Sequence, residues 1–277
     1  MEQLNFEFKE YRYAVDSEVY RLIKVAKDWD SLQFREFLNS IETYLARNPA
    51  FHDYRNVLVR FGVNETLGII DEIVVKKFKL TRKYDQFRFR FLPSKAFRSL
   101  KTALALLQIG LKTPRPIAII EERGKYNRLV NCYYLTEFLT FDYSFYQVIN
   151  DFDDTLKSKL IAETAHNIRL MHDAGIIHND LHASNILIKN IEVVPELYFI
   201  DLNRARQRKT LSIKSRAKDL GRLSLNQSDL IVFLKKYNPI SSKEFLTIVE
   251  QMQCRRKTWI RFKDSFRQLK TKLKKKF

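Results

Sequence analysis

The sequence has few of the features that mark a secreted or membrane-spanning protein. It contains only two cysteines, Cys132 and Cys254, which excludes a disulfide framework and provides no metal-ligand spacing. This usage fits a reducing compartment. The first residues, Met1 to Asn5, show no basic segment followed by an apolar one, so no secretory signal is indicated. No uncharged apolar run reaches the roughly 18 residues that a membrane-spanning helix needs. We therefore expect a cytoplasmic protein.

The bulk composition indicates a folded chain with a substantial core. The 277 residues are 45% hydrophobic and 13% aromatic, which excludes global disorder. This length suffices for one large domain or for two lobes that share a cleft. We find no internal repeat, and low complexity is confined to the lysine-rich end.

Acidic residues are outnumbered, and they are scarcest at the end of the chain. The sequence contains 50 Lys and Arg against 32 Asp and Glu, a formal net charge of +18. Residues 255–277 contain eleven cations and one acid, Asp264, so this stretch carries +10 and leaves +8 for the rest. Such concentration indicates an element that docks on an anionic surface.

The basic tail, residues 254–277, also has an apolar stripe. Its members recur at spacings of three and four and are Trp259, Phe262, Phe266, Leu269, Leu273 and Phe277. A helix of this kind can lie in a membrane interface, where each cation near an anionic surface contributes about 1 kcal/mol. We expect residues 255–277 to bind an anionic membrane surface; the alternative is that the stripe packs on the rest of the protein. No RNA-binding pattern appears, so nucleic acid is not favoured.

The order of predicted elements divides the chain into regions. Residues 15–47 show apolar positions at helix-like intervals, so we predict a helical N-terminal extension over residues 1–50. Residues 51–139 are rich in strands, and residues 140–253 are mostly helical. This order predicts a bilobal α+β fold with a β-rich N-lobe and a helical C-lobe.

Two features refine the N-lobe prediction. One amphipathic helix is expected from Ser94 to Leu111, where Pro114 and Pro116 prevent continuation. The hinge between the lobes is expected near Glu137–Thr140, which makes Glu137 a candidate residue for binding ATP.

The most informative segment is His178-Asn179-Asp180-Leu181-His182-Ala183-Ser184-Asn185, which matches the kinase loop H-x-D-L-x-x-x-N. Farther on, Asp201 ends a short apolar strand. Phosphoryl transfer needs divalent ions that bridge the phosphates and a carboxylate beside the attacking hydroxyl, and Mg²⁺ prefers oxygen ligands. We therefore predict Asp180 as the catalytic base, and Asn185 and Asp201 as ligands of Mg²⁺.

Other residues support this interpretation. The run Ile73-Val74-Val75-Lys76 resembles the strand lysine of V-A-I-K, which pairs with ATP phosphates. Lys76 and Lys77 alternate faces on a strand, and the motif favours Lys76. His178 is expected to pack and hold the loop. His182 could meet the substrate, although an exposed loop histidine is the simpler interpretation.

Taken together, the sequence resembles the bacterial lipopolysaccharide core kinase family, the Kdo and heptose kinases, a branch of the protein-kinase-like fold. The matching stretches are Ile73–Phe78, Ser94–Ser99, Thr113–Ile119, Tyr133–Leu139, the loop His178–Leu187, Phe199–Arg206 and Lys218–Leu223. The resemblance implies ATP-dependent phosphorylation of a sugar hydroxyl (Kdo or heptose) in the lipopolysaccharide inner core, at the cytoplasmic face of the inner membrane. It also implies that Asp219 holds the catalytic loop.

The sequence departs from the kinase pattern in two ways. The helix expected over 94–111 contains no acid, and Ser99 stands where one is expected. Another acid, such as Glu121 or Glu122, could pair with Lys76, or the pairing could be absent. No G-x-G-x-x-G run is present. Two alternatives therefore stay open: a kinase with another acceptor, protein or small molecule, and a non-catalytic kinase-like module that binds membranes.

Overall fold

We describe the fold from a computed structural model, in which the described residues are 6–47, 51–52, 56–61, 73–80, 83–237 and 243–274. The chain forms two compact units. The first consists of Met1–Thr140 and Tyr198–Ala205, and the second of Phe141–Leu197 and Arg206–Phe277.

The described strands of the first unit form one antiparallel sheet. They are β1 (Phe8–Ala14), β2 (Tyr20–Ala26), β3 (Phe51–His52), β4 (Asn56–Phe61), β5 (Ile73–Phe78), β6 (Pro116–Gly124) and β7 (Arg128–Glu137). Their order across the sheet is β1-β2-β6-β7-β5-β4-β3. The interior strand β6 is buried along its whole length, whereas the edge strand β1 has no fully buried residue.

Helices cover both faces of this sheet. They are α1 (Leu32–Asn39), α2 (Ile41–Arg47), α3 (Lys83–Phe91) and α4 (Lys95–Gln108). The hydroxyls of Ser31 and Ser94 accept hydrogen bonds from main-chain N–H groups in the first turns of α1 and α4, the usual N-cap arrangement. The helix predicted over 94–111 is thus confirmed as α4.

The prediction that residues 15–47 are helical is wrong for Tyr20–Ala26, which form β2. Alternate residues Arg21, Ile23 and Val25 are buried, and β2 pairs with β1 on one side and with β6 on the other. A short apolar run fits either the helical or the strand period, and here pairing with distant β6 decides between them. The helical prediction holds for α1 and α2.

The packing explains why the N-terminal region is not an extension. One cluster of buried residues joins α1 and α2 to one face of the sheet, through Phe34, Phe37, Leu38 and Ile41. A second cluster joins α3 and α4 to the other face. Residues 6–47 therefore supply the edge strand β1, its neighbour β2 and one helical layer of the first unit, because burying the apolar face of the sheet requires a covering layer.

The second unit is mostly helical. Its described helices are α5 (Phe145–Asp151), α6 (Asp154–Asp173), α7 (Ile213–Leu220), α8 (Gln227–Tyr237) and α9 (Lys243–Lys274). The long helix α6 begins at the N-cap Asp153, whose carboxylate accepts the N–H of Leu156 at 3.3 Å. Helix α9 buries Phe245 and Val249 near its start, and Gln253 donates a hydrogen bond to the Leu225 carbonyl at 3.3 Å.

Short strands flank the loops of this unit. They are β8 (Tyr143–Ser144), β9 (Ile176–Ile177), β10 (Ile186–Lys189) and β12 (Arg206–Gln207), while β11 (Glu196–Phe199) leads from the second unit into the first. Strand β10 pairs antiparallel with β8, and β12 pairs antiparallel with β9. The segment between β9 and β10 is the loop that contains Asp180 and Asn185.

Candidate active site

In the first unit the structure brings Lys76 to Asp201. Lys76 lies on β5 opposite Tyr134 of β7, and its ammonium contacts the Asp201 carboxylate. Asp201 has left-handed backbone angles, φ 58° and ψ 48°. Such angles cost energy for residues other than glycine and are concentrated at functional sites. Both side chains stay partly accessible, at 19% and 28% of their maximal exposure.

The neighbouring lysine faces the other way. Lys77 contacts the Glu42 carboxylate at 2.5 Å, on the side of the sheet covered by α1 and α2. Alternate residues of a strand point to opposite faces. The structure therefore separates the two lysines as predicted, and only Lys76 reaches Asp201.

Helix α4 provides no acid for Lys76. Ser99, at the position where an acid was expected, is buried, and its hydroxyl donates to the Lys95 carbonyl within the same helix at 2.9 Å. A serine hydroxyl is uncharged, so Ser99 cannot form an ion pair with Lys76. In the first unit Asp201 is the acid that contacts Lys76.

The two glutamates on β6 are engaged elsewhere. Glu121 accepts from both Nε and Nη2 of Arg123, at 2.9 and 2.8 Å. Glu122 accepts from Arg21 of β2 at 2.5 Å. The expectation that one of these glutamates pairs with Lys76 is wrong, because each already balances a buried guanidinium.

Glu137 ends β7 at the boundary of the first unit. Its carboxylate accepts from Arg115 Nη1 at 3.1 Å, and its main-chain N–H donates to the Arg115 carbonyl at 2.9 Å. Arg115 also contacts Asp28. The side chain of Glu137 thus has a structural partner in Arg115.

In the second unit Asp219 holds the main chain of the loop that contains Asp180 and Asn185. This carboxylate, 1% exposed, accepts the main-chain N–H groups of His178 and Asn179, both at 2.8 Å. Asn179 has a positive φ of 61°, which Asn tolerates better than most residues. His178 is buried. These contacts give Asp219 the loop-holding role expected for it, and the burial of His178 fits the packing expected of that residue.

Asp180 and Asn185 are coupled through one hydrogen bond. Asn185 Nδ2 donates to the main-chain carbonyl of Asp180 at 2.8 Å. Because a carbonyl only accepts, the NH₂ group must face it, and the side-chain oxygen points elsewhere. An amide held in this way presents an oxygen rather than a nitrogen, which is the ligand type that Mg²⁺ prefers.

Basic side chains surround the Asp180 carboxylate within the same unit. Arg222 Nη1 lies 3.4 Å from Asp180 Oδ1, and His182 Nε2 lies 3.5 Å from the same oxygen. His182 in turn is 2.7 Å from Arg256 Nη2 of α9. The expectation of an exposed loop histidine is therefore wrong, since His182 is only 39% exposed and bonded to a distant helix.

Sequence reasoning missed both of these arginines. Arg222 lies in the stretch Lys218–Leu223 that had been compared with the kinases, but only Asp219 received a role there. Arg256 was counted only as part of the charge of the tail. Only the structure shows that Arg256 is partly buried while the other twelve residues from Cys254 to Phe266 are exposed.

The apolar stripe of the basic tail is exposed where its side chains are described. From Cys254 to Phe266 every residue except Arg256 is exposed, including Trp259, Phe262 and Phe266 at about 60% each. The alternative that these three residues pack on the second unit is therefore wrong. Phe277 lies outside the described residues.

Two searches bear on metals and membranes. In the described part of the chain, no group of three or more His, Cys, Asp and Glu residues is arranged to hold a metal ion. Among the same residues, none of the helices combines the length and the apolar character needed to span a bilayer.

Comparison with known proteins decides the family. A family model described as "Lipopolysaccharide kinase (Kdo/WaaP) family" matches residues 69–266, which is more than half of the chain. The chain belongs to this family. The lipopolysaccharide kinase match includes β5, α4, the loop with Asp180 and Asn185, Asp201, Asp219 and the first three quarters of α9, so the resemblance seen in the motifs is confirmed.

Individual relatives agree with this assignment. The chain is similar to 3-deoxy-D-manno-octulosonic acid kinases of Haemophilus influenzae, with 26% identity over 125 residues in strain PittGG and 28% over 121 residues in strain 86-028NP. These alignments cover 45% and 43% of this chain. The chain spans about half the length of these relatives, 51% and 49%.

A solved structure supports the fold. A chain described as "WaaP in complex with acyl carrier protein" superposes with a TM-score of 0.60 at 19% identity, over 81% of this chain and 95% of that one. At this identity the likeness concerns the fold. It confirms the predicted α+β, protein-kinase-like fold with a sheet-rich and a helical unit.

Proposed function

We propose that this lipopolysaccharide kinase family member is an ATP-dependent phosphotransferase that phosphorylates a sugar hydroxyl, of Kdo or heptose, in the lipopolysaccharide inner core. The observation that carries the proposal is the catalytic loop. Asp219 anchors its main chain, and the amide of Asn185 is fixed by the carbonyl of Asp180. The names of the Haemophilus relatives and of the matching family support the acceptor class.

The chemistry assigned to Asp180 is that of a general base. Its carboxylate orients the acceptor hydroxyl and takes its proton as the oxygen forms a bond to the γ-phosphorus of ATP. The bond from that phosphorus to the bridging oxygen breaks at the same time, and ADP leaves. Catalysis then depends mainly on positioning, because the transferring phosphoryl group needs little covalent assistance.

Asn185 in the second unit and Asp201 in the first are each proposed as a ligand of Mg²⁺. Each presents an oxygen donor, a carboxylate on Asp201 and an oriented amide oxygen on Asn185, which fits a hard cation. Bound Mg²⁺ would supply positive charge to the phosphate oxygens. The strained backbone of Asp201 fits a residue whose side-chain direction is set by function rather than by local preference.

Lys76 and Glu137 are proposed to bind the nucleotide. The Lys76 ammonium beside Asp201 would neutralise phosphate oxygens of ATP, as the strand lysine does in kinases. Glu137 lies at the end of β7, where the hinge was expected, and this position supports its role in binding the nucleotide.

We also propose a peripheral location at the cytoplasmic face of the inner membrane. The exposed aromatic residues Trp259, Phe262 and Phe266 would insert between headgroups, while cations of the segment 255–277 other than Arg256 would face anionic lipid. This arrangement would bring the enzyme to an acceptor sugar that is attached to lipid.

One observation favours the non-catalytic alternative. Helix α4 has no acidic residue, so the lysine–glutamate pair of active kinases cannot form from it. A kinase-like module that only binds membranes would need none of the contacts around Asp180. Activity measurement decides between the two.

The test of catalysis uses purified protein with Mg²⁺, labelled ATP and two acceptors, Kdo–lipid A and a heptosylated derivative. We expect label transfer by the natural protein and none by Asp180→Ala, while calorimetry shows nearly unchanged ATP affinity. The exposed Asp151→Ala serves as the matched control and should retain activity. Intact ATP binding without transfer to either sugar would refute the proposal.

The test of membrane attachment uses co-sedimentation with vesicles of phosphatidylglycerol and phosphatidylethanolamine. The triple variant Trp259→Ser, Phe262→Ser, Phe266→Ser should stay in the supernatant, whereas the natural protein pellets. A control with Ser in place of exposed Tyr146, on α5, should pellet normally. Binding to acyl carrier protein but not to vesicles would assign this surface to a carrier protein.

A further inference from the structure

Two basic side chains lie beside the Asp180 carboxylate inside the second unit, and a third contacts one of them. We call Arg222, His182 and Arg256 the basic cluster. Arg222 Nη1 and His182 Nε2 lie 3.4 and 3.5 Å from Asp180 Oδ1, and Arg256 Nη2 lies 2.7 Å from His182 Nε2. Arg256 is thus linked to the proposed base through His182.

The fold holds this cluster in place from three separate segments. Arg222 follows α7, and its N–H donates to the main-chain carbonyl of Asp219 at 3.0 Å. His182 belongs to the catalytic loop. Arg256 lies one turn beyond Gln253, where α9 is still bonded to the body of the unit through Leu225. Because contacts outside the cluster fix the segments of Arg222 and Arg256, the positions of these side chains are set by the fold of the second unit.

The cluster is buried enough to be ordered and open enough to receive a ligand. The side chains of Arg222 and His182 are 20% and 39% exposed, and Arg256 is partly buried. Its neighbours Arg255 and Lys257 on the same helix are exposed. Arg256 therefore differs from the other cations of the tail, which face solvent along α9 as far as their side chains are described.

His182 joins Arg256 to the loop that contains Asp180. A guanidinium only donates, so in their 2.7 Å contact Nε2 of His182 accepts from Arg256 Nη2. Arg222 and Arg256 carry permanent positive charge. His182 is a positioning residue that orients the Arg256 fork.

Arginines beside a carboxylate that acts as a general base make it a weaker base, so their presence here calls for another function. A neighbouring guanidinium stabilises the ionised carboxylate and so weakens its affinity for the proton it must take. A neutral sugar hydroxyl would gain nothing from them. An acceptor that carries its own negative charge would be repelled by Asp180, and two guanidinium groups would offset that repulsion. The planar fork of arginine also matches a carboxylate through paired hydrogen bonds.

We propose that Arg222 and Arg256 bind a carboxylate of the acceptor sugar and make the enzyme select an acidic sugar over a neutral one. This rests on the proposed function and sharpens it, since Kdo is a sugar acid and heptose is neutral. The competing use of the cluster is contact with the γ-phosphate of ATP, which the kinetics below separate from acceptor binding.

The experiment compares a soluble Kdo glycoside with its carboxamide, which has the same shape and hydroxyls without the charge. The natural protein should phosphorylate the acid with a kcat/KM about 10- to 100-fold above that of the amide, the range expected for a charge-assisted hydrogen bond. Arg222→Gln and Arg256→Gln should each lose most of this preference through a raised acceptor KM, with the KM for ATP unchanged. Arg256→Lys should keep part of it.

Two controls complete the design. Arg255→Gln removes the same charge one residue away, from an exposed position, and should keep the natural preference. His182→Gln retains an acceptor for Arg256 and should preserve more of the preference than His182→Ala. Thermal unfolding of each variant establishes that it is folded.

The outcomes separate this proposal from the one on which it rests. Equal kcat/KM for acid and amide in the natural protein, or a raised KM for ATP in the arginine variants, would overturn the carboxylate site. Calorimetric binding of both compounds is measured in parallel without ATP. Tighter binding of the acid that Arg256→Gln abolishes, together with no transfer to any acceptor, would sustain the carboxylate site and refute the kinase activity.

Discussion

The main-chain N–H of Asn179 donates to the buried carboxylate of Asp219 at 2.8 Å, across 40 residues of sequence. This bond, with its counterpart from His178, holds a backbone that has a positive φ at Asn179. The loop that contains Asp180 is therefore fixed by an acid that need not touch the substrate. Positioning of this kind supplies a large part of catalysis when little covalent chemistry is involved.

Asp219→Ala should destabilise the protein by about 1–3 kcal/mol for each main-chain N–H, of His178 and of Asn179, that it leaves without an acceptor, and it also removes the contact with His172 Nε2 at 3.3 Å. Asp219→Asn keeps the shape but turns an NH₂ group toward one donor, so we expect a smaller loss of stability together with a lowered kcat. Urea unfolding and steady-state kinetics measure the two effects. Exposed Asp151→Asn is the control, and a kcat for Asp219→Asn equal to the natural value would contradict the loop-holding role.

Lys76→Met should lower kcat/KM by about 10- to 100-fold, because charge-assisted hydrogen bonds to the phosphates are lost. Lys77→Met removes the same charge from the next residue of β5, whose ammonium contacts Glu42 instead. It should leave kcat/KM near the natural value. Nucleotide kinetics with both variants check this, and equal losses in the two would show that Lys76 has no special role.

Two glycines with similar backbone angles should respond differently to alanine. Gly110 has φ +79° and open space around a new Cβ, so Gly110→Ala should cost only the left-handed penalty of about 1–2 kcal/mol. At Gly175, φ +75°, a Cβ would lie 2.0 Å from the Arg208 carbonyl oxygen. We expect a further loss of about 1–3 kcal/mol or more from this overlap. Chemical unfolding of both variants tests the order, which equal losses would contradict.

The two cysteines should differ sharply in reactivity. Burial raises the pKa of the Cys132 thiol to about 12, so at pH 8 it stays protonated, and it is also inaccessible. Cys254 is exposed on α9. Titration with a chromogenic disulfide reagent should detect one thiol in the native protein and two after denaturation. With Cys254→Ser the native count should fall to zero, and a rapid reaction in that variant would disprove the burial of Cys132.

Tyr237 should make stability fall at high pH. Burial raises the pKa of its hydroxyl to about 12, and the hydroxyl bonds to His172 Nδ1 at 2.7 Å. The folded state therefore retains a proton that the unfolded chain releases near pH 10, so this contribution is full below pH 10 and is lost between pH 10 and 12. Urea midpoints at pH 9 and 11 should fall less steeply in Tyr237→Phe. An identical slope in both proteins would count against the raised pKa.

The residues of the catalytic loop could be predicted because their relationships are local or are carried by a motif. Asn185 and Asp180 are five residues apart, and the loop alone brings the amide to the carbonyl. Helix α4 was also predictable, since an amphipathic period over fourteen residues has few alternatives. In contrast, β2 was read as helix because a seven-residue apolar run fits both periods until β6 pairs with it.

The amino-acid sequence by itself determined the family, the two-part α+β fold and the identity of the loop residues, because motifs and periodic patterns are properties of short segments. Only the tertiary structure decided the partner of Lys76, which lies 125 residues away at Asp201, and the contact of Arg256 with His182 across 74 residues. Such contacts depend on how whole elements pack. A local sequence pattern does not predict which charged side chains from distant segments will be in contact.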